Sequence, residues 1–451
     1  MGKQVDLLNE PILPALARLA VPIMATSLVQ MAYNLTDMAW IGRLGSGAVT
    51  AVGTAGMYSW LSQGIAILAK TGGQVKVAHA LGAGDEEAAA RYARGAIQMG
   101  VVFALAFGAV CLVLAGPLIG FFGLASREIV ESAMIYLRIA CGCILFSYIN
   151  MILTGLLTAT GDSRTPFKVN VAGLVLNVIL DPLLIFGAGP VPAMGTVGAA
   201  VATVAAQAAV TVLFILAIRR ESRLFKGFSL FTPVPPYCRQ EMVRIGMPAA
   251  VQNLIYAGIS MILTRLVAGY GDKAVAVQRV GSQIESVSWM VGDGFAAAIN
   301  SFIGQNFGAK QMDRVKRGFS TAIAMTALWG LCTTSLLIFM AGPLFSVFIT
   351  EPAVLAGGVD YLRILGFSQL FMLVEQTSVG AFAGLGRTGF PSAVSVTLTS
   401  ARIPMAVLFS ATALGLNGIW WALTVSSILK GCVLYAGFLF VLKRMARGGE
   451  K

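Results

Sequence analysis

Asp37 stands in an apolar run, residues 11–42, long enough to cross a bilayer, and it is the only acid in that run. A carboxylate at the centre of a membrane helix costs about 2.5–3.5 kcal/mol on insertion scales, so it persists where it serves an ion or proton path or pairs with a buried base. Thr26, Gln30, Tyr33 with Asn34, and Asp37 recur every three or four residues, which stacks their side chains on one helical face. A second run repeats the arrangement: Asn170, Asn177 and Asp181 are spaced seven and four apart, with Pro182 directly after the acid. Proline removes a backbone donor and frees the carbonyl four residues back, here that of Val178, so polar backbone accompanies Asp181. Asn150, Thr154 and Thr158 form a third polar line at helical spacing. Two carboxylates with amide and hydroxyl oxygens suit either a shared proton or a hard cation.

The elements that carry these residues are membrane spans. Charged residues make up 12% of the 451, hydrophobic residues 57%, and the mean hydropathy is +0.81, which excludes a water-soluble globule of this length. Spans of about 20 apolar residues are expected near 12–40, 47–70, 93–121, 131–158, 166–187, 194–218, 242–268, 274–303, 316–348, 359–384, 391–413 and 417–442. The expected fold is therefore an all-α polytopic membrane protein with twelve transmembrane helices. Alternate loops hold only Arg43, Arg127 and Lys273, whereas the opposite side carries the basic stretches 219–228, 308–318 and 443–451. Short cytoplasmic loops retain Lys and Arg, so both termini are expected on the cytoplasmic side of a prokaryotic inner membrane. The net charge of +12 follows from this topology and from attraction to anionic lipid, and it needs no nucleic-acid partner. The first apolar stretch is too long for a cleaved signal sequence, so it is expected to be retained. The six cysteines form no C-x-x-C pair and indicate no metal or redox site.

The chain is internally repeated. At a shift of 226, Arg18 meets Arg244, Pro22 meets Pro248, Gly45 meets Gly271, Arg91 meets Arg317, and Gly116-Pro117 meets Gly342-Pro343. At a shift of 225, Tyr136-Leu137-Arg138 meets Tyr361-Leu362-Arg363, and Pro166 meets Pro391. Six helices per copy is an even number, so each copy starts on the same side and the two bundles are expected to be related by a pseudo-two-fold axis along the membrane normal. The expected domains are an N-terminal bundle over 1–220, a basic, proline-bearing cytoplasmic linker over 221–241, and a C-terminal bundle over 242–451. Neither acid is duplicated, since Asp37 maps to Leu263 and Asp181 to Ala406. Coupling is therefore expected to be asymmetric. Asn150 maps to Glu375 and Asn177 to Arg402, which predicts that Glu375 pairs with Arg402 and that Asn150 neighbours Asn177. Glu285 and Asp293 are expected as further buried acids, ion-paired with the help of Arg279. Pro22 and Pro248 are expected kinks.

Arg-x-x-x-Pro at the start of helices one and seven, GAGD after helix two matched by GAKQ after helix eight, TGDSRTP after helix four, NVILDP in helix five and GAAVAT in helix six form an ordered set. Together they resemble the multidrug and toxic compound extrusion (MATE) family over essentially the whole chain, and the DinF-like branch of it, because the helix-seven neighbourhood reads Gln252, Asn253, Tyr256 where other branches carry an acid. The resemblance implies a secondary antiporter, not an enzyme, that expels cationic or amphipathic compounds by alternating access, driven by proton or sodium flow, without any other cofactor. It implies a cation-responsive chamber lined by Asp37, Asn177, Asp181 and Thr203, the same four being the candidates for a sodium ion, with Asn150 added from helix four. Gln30, Met31, Tyr33, Asn34, Met57, Phe146, Met151 and Thr154 are expected to line the substrate cavity, where methionines and aromatics adapt to varied ligands. Small organic cations and membrane lipid are the expected partners of a monomeric protein. A lipid-linked saccharide flippase of the same superfamily is the alternative; it would want many bases to hold pyrophosphate. A membrane-embedded hydrolase would want an H-E-x-x-H or Ser-His set, and the single His79 offers none. GLGRTG at 384–389 follows an apolar helix rather than a strand and indicates no dinucleotide site.

Overall fold

The computed structural model describes residues 5–448 except 125, 188, 191, 219–221, 226–228 and 350. Part of the expected linker, residues 221 and 226–228, and the two extreme termini lie outside the described residues. Among the described residues every regular element is a helix: α1 (Ile12–Gly42), α2 (Ser46–Gly82), α3 (Glu86–Val113), α4 (Ala115–Gly120), α5 (Arg127–Gly142), α6 (Leu145–Ala159), α7 (Arg164–Ile185), α8 (Gly195–Ile218), α9 (Ser222–Phe225), α10 (Pro236–Ala268), α11 (Asp272–Gly308), α12 (Met312–Phe339), α13 (Ala341–Ser346), α14 (Pro352–Gly366), α15 (Gln369–Gly384), α16 (Gly389–Ser400), α17 (Arg402–Ser410) and α18 (Leu416–Gly448). Each expected span coincides with one helix or with two in succession, the pairs being α3/α4, α5/α6, α12/α13, α14/α15 and α16/α17.

Eight of these stretches are long and apolar enough to cross a membrane by length and composition alone, and α5 with α6, bent by 42°, makes a ninth. The other three are α2, α11 and the α14/α15 pair. The α2 helix carries Lys70, Gln74, Lys76 and His79, α11 carries Glu285, Asp293, Asn300, Gln305 and Asn306, and α14 and α15 are only 15 and 16 residues long. Polar residues inside a span lower its hydropathy while marking it as functional.

Two compact units form, one from Met1–Val5 with Ala25–Ala250, the other from Asp6–Met24 with Val251–Lys451. Residues 6–24 thus pack with the second unit and residues 242–250 with the first, a departure from strict chain order. Both changes of allegiance fall just beyond a proline, Pro22 in α1 and Pro248 in α10. In the first unit the start of α10 crosses α2 with backbones almost touching. A Cβ built on Gly246 would lie 2.1 Å from the Leu68 carbonyl oxygen, and one on Gly72 would lie 2.4 Å from that of Met242. Gly246→Ala is therefore expected to destabilise by about 1–3 kcal/mol through overpacking, which outweighs the ~1 kcal/mol that alanine gains over glycine inside a helix. A thermal melt of the detergent-solubilised protein reads this; an unchanged midpoint would contradict the close crossing.

The segments that lead into α1 and α10 are tied down by polar side chains. In the second unit Asn306 Nδ2 donates to the Leu7 carbonyl at 3.0 Å, and Arg314 Nη2 donates to the carbonyls of Leu7 and Glu10 at 3.1 and 2.9 Å. Arg314 Nε also donates to Asn306 Oδ1 at 3.0 Å, and Leu7 is buried. Asp6 starts this turn by accepting from the Asn9 side chain at 2.9 Å and from the amides of Leu8 and Asn9 at 3.0 Å. The Asn9 side-chain bond, ahead of the two amides, holds the Asp6 carboxyl below its usual range. In the first unit Gln98 Nε2 donates to the carbonyls of Leu230 and Thr232 at 2.7 and 2.8 Å, while Lys76 pairs with Glu241 at 2.7 Å and the Tyr92 hydroxyl donates to the same carboxylate.

Candidate functional site

Within the first unit α7 packs along α8, and α7 buries Asn177 and Asp181 completely. Their four-residue spacing puts them one turn apart, and Asn177 Nδ2 donates to Asp181 Oδ1 at 3.1 Å. That bond leaves the other Asp181 oxygen and the Asn177 carbonyl oxygen without partners. Asp37 Oδ1 and the hydroxyl oxygens of Tyr33 and Thr203 share this condition, all five atoms being buried with no hydrogen-bond partner. Asp37 and Asp181 lie in each other's electrostatic field, and Tyr33 feels both acids while facing Thr203 and Gln207. Tyr136 of α5 is buried beside the same group, feeling Asp37, Tyr33 and Asp181.

Among the described residues neither carboxylate forms an ion pair, so pairing with a buried base does not account for them. Buried polar groups left unsatisfied cost about 1–3 kcal/mol each, more when charged. Three of the five atoms are pure acceptors, which calls for a proton or a small hard cation rather than for more acceptors. Unpartnered carboxylate and amide oxygens of this kind are donor types that suit a proton or a hard cation.

The expected substrate-cavity residues are more dispersed. Gln30 and Tyr33 line a cavity of about 10 Å³ with Asn170, Gly173 and Gln207, roughly the space of one water molecule. Asn34 and Met57 are exposed, and Met31, Phe146, Met151 and Thr154 are half-buried. Thr154 and Thr158 donate back to carbonyls four residues earlier, at 2.8 and 2.7 Å. Asn150 is buried in a satisfied network with α8: its Nδ2 donates to the Gln207 carbonyl and Oε1 at 2.9 and 2.8 Å, and its Oδ1 accepts from Thr211 at 2.8 Å. Among the described residues its side-chain bonds go to α8 and none to Asn177. Gln207 and Thr211 are absent from the expected set, although they follow Thr203 at successive intervals of four in the sequence.

In the second unit one buried acid has a base for a partner. The expected Glu375–Arg402 pair does not form. Glu375 instead pairs with Lys430 of α18 at 2.9 Å, both side chains about nine-tenths buried, while Arg402 donates to Ser426 and Ser427 of α18 at 3.1 and 3.0 Å. The placement of the helices decides it: Lys430 on α18 lies within ion-pair distance of Glu375, whereas the guanidinium of Arg402 is turned to the two serines. Glu285 accepts from Gln369 Nε2 at 3.0 Å and not from Arg279, which is exposed, and Asp293 is exposed rather than buried.

The MatE family model matches residues 22–183 and 248–408, which follow the internal repeat. A curated relative from Thermotoga maritima, "Probable multidrug resistance protein NorM", is 28% identical across 94% of this chain and 91% of its own. An "FAD transporter" from Shewanella oneidensis is 25% identical, covering 96% of each chain. A solved outward-facing structure of a multidrug resistance MATE family transporter superposes with a TM-score of 0.88 at 23% identity, over 98% of this chain and 99% of that one.

Proposed function

The chain belongs to the MatE family of membrane transporters, and from that premise we propose that it is a secondary active antiporter. It exports cationic or amphipathic organic compounds, drugs among them, in exchange for protons or sodium ions taken up at Asp37 and Asp181. The supporting observation is the group of five buried oxygens without partners, two of them on carboxylates that no base neutralises. A site of that charge is satisfied by the coupling ion or by an organic cation, and mutual exclusion between the two is what exchange requires. Each net charge that enters through 100 mV contributes about 2.3 kcal/mol, enough to sustain about a fifty-fold concentration ratio of substrate, and a one-for-one exchange of a monovalent cation draws instead on the ion gradient itself. The basic stretches at 308–318 and 443–448 face the cytoplasm in this reading, within a prokaryotic inner membrane.

Proteoliposomes with a pH gradient or a sodium gradient imposed separately test the reading. A fluorescent organic cation is expected to accumulate against its own gradient under one of the two. Because one relative carries the name FAD transporter, FAD belongs in the same assay as the anionic alternative. Movement of FAD with no gradient-driven movement of any organic cation would overturn cation export.

A further inference from the structure

The two units treat equivalent positions in opposite ways. Asn150 of α6 and Glu375 of α15 correspond in the repeat, and each reaches across to the last long helix of its own unit, α8 or α18. The amide finds Gln207 and Thr211, whereas the carboxylate finds the Lys430 ammonium at 2.9 Å. Around that pair stand Arg402 from α17, within the field of both Lys430 and Glu285, and Tyr361 from α14, which faces Glu285. Two bases and two acids balance. Neither Glu375 oxygen belongs to the group of buried atoms without partners, in contrast to Asp37 and Asp181.

A carboxylate buried in a membrane span takes a proton, a metal cation or a fixed base. Glu375 has the third. We propose that the Lys430 ammonium is a tethered counter-cation that keeps Glu375 ionised throughout transport, so that the second unit takes up no coupling ion and exchange draws only on Asp37 and Asp181. The proposal rests on the antiport reading above, and it makes Lys430 the residue that sets the ion-to-substrate ratio. Lys430 touches neither ion nor substrate; it acts by occupying the place that an ion would fill.

Removing the ammonium with Lys430→Met leaves Glu375 buried without its base while Arg402 stays bonded to Ser426 and Ser427, so the carboxylate takes up a proton or a sodium ion to stay buried. Reversal-potential measurements in proteoliposomes give the number of ions exchanged per substrate. Lys430→Met is expected to raise that number by one, and the double variant Lys430→Met with Glu375→Gln to restore the wild-type number. An unchanged number in Lys430→Met overturns the proposal. Should that variant fail to insert, infrared difference spectra between acid and alkaline pH decide the matter on the wild type and Glu375→Gln alone. Identical carboxylic-acid bands in the two are expected, and a band lost in Glu375→Gln shows that Glu375 titrates and overturns the proposal. Because the spectra need no transport, a wild type that exchanges no ions would refute the antiport reading while leaving this result to be read on its own.

Discussion

Asp37→Asn is expected to abolish gradient-driven export while leaving insertion and folding intact. Asparagine keeps the shape of the side chain and one carbonyl acceptor, so the local packing of α1 survives. The variant loses the charge that makes the cluster hold an ion, and with it the driving force of about 2.3 kcal/mol per charge per 100 mV. Steady-state accumulation of substrate, about fifty-fold for each net charge entering at 100 mV, is then expected to collapse to no accumulation. Asp181→Asn is expected to act in the same direction, because the variant can keep the Asn177 hydrogen bond but loses the charge and the unpartnered carboxylate oxygen. Export at the wild-type rate by a stably inserted Asp37→Asn protein would remove that residue from the mechanism.

The largest effect on stability is expected at Arg314. Arg314→Met breaks three charge-assisted hydrogen bonds at once, to the carbonyls of Leu7 and Glu10 and to Asn306 Oδ1. Hydrogen bonds to charged groups contribute roughly 1.5–3 kcal/mol each, so a loss of about 3 kcal/mol or more is expected even if the contributions overlap. Arg314→Lys is expected to recover only part of it, since an ammonium has no planar fork with which to reach three acceptors. Cleavage of the segment before α1 by added protease, compared with the thermal midpoint, reads both. Resistance equal to the wild type in Arg314→Met would mean that the clamp contributes nothing.

Much of this was legible in the residues themselves. The four-residue spacing put Asn177 and Asp181 on one helical face, where the hydrogen bond between them forms, and hydropathy with the repeat gave the twelve spans. What hydropathy could not show was which face of a long helix turns inward, and so Asp293 was expected inside although it is exposed. The partner of Glu375 escaped for a different reason. Repeat alignment relates Glu375 to positions in the other copy, whereas its partner Lys430 lies on another helix of its own unit. Choosing between Arg402 and Lys430 depends on side-chain reach and on competing acceptors at Ser426 and Ser427, which exist only once the helices are packed. The exchange of residues 6–24 and 242–250 between units left only a faint mark in the sequence, the two prolines.

That exchange bears on how the protein is made. Residues 6–24 leave the ribosome first, yet the residues they pack with, from Val251 onward, are made more than half a chain later. At ~5–20 residues per second the wait lasts roughly 10–45 s. During that interval the opening stretch of α1 must sit in lipid or against the insertion machinery without its final neighbours. The first unit, for its part, cannot close until residues up to Ala250 have been added. A nascent chain released at residue 220 therefore carries one helical segment with nowhere to dock and lacks another that it needs, so quality control in the cell would meet it as an unfinished protein rather than as half of a finished one.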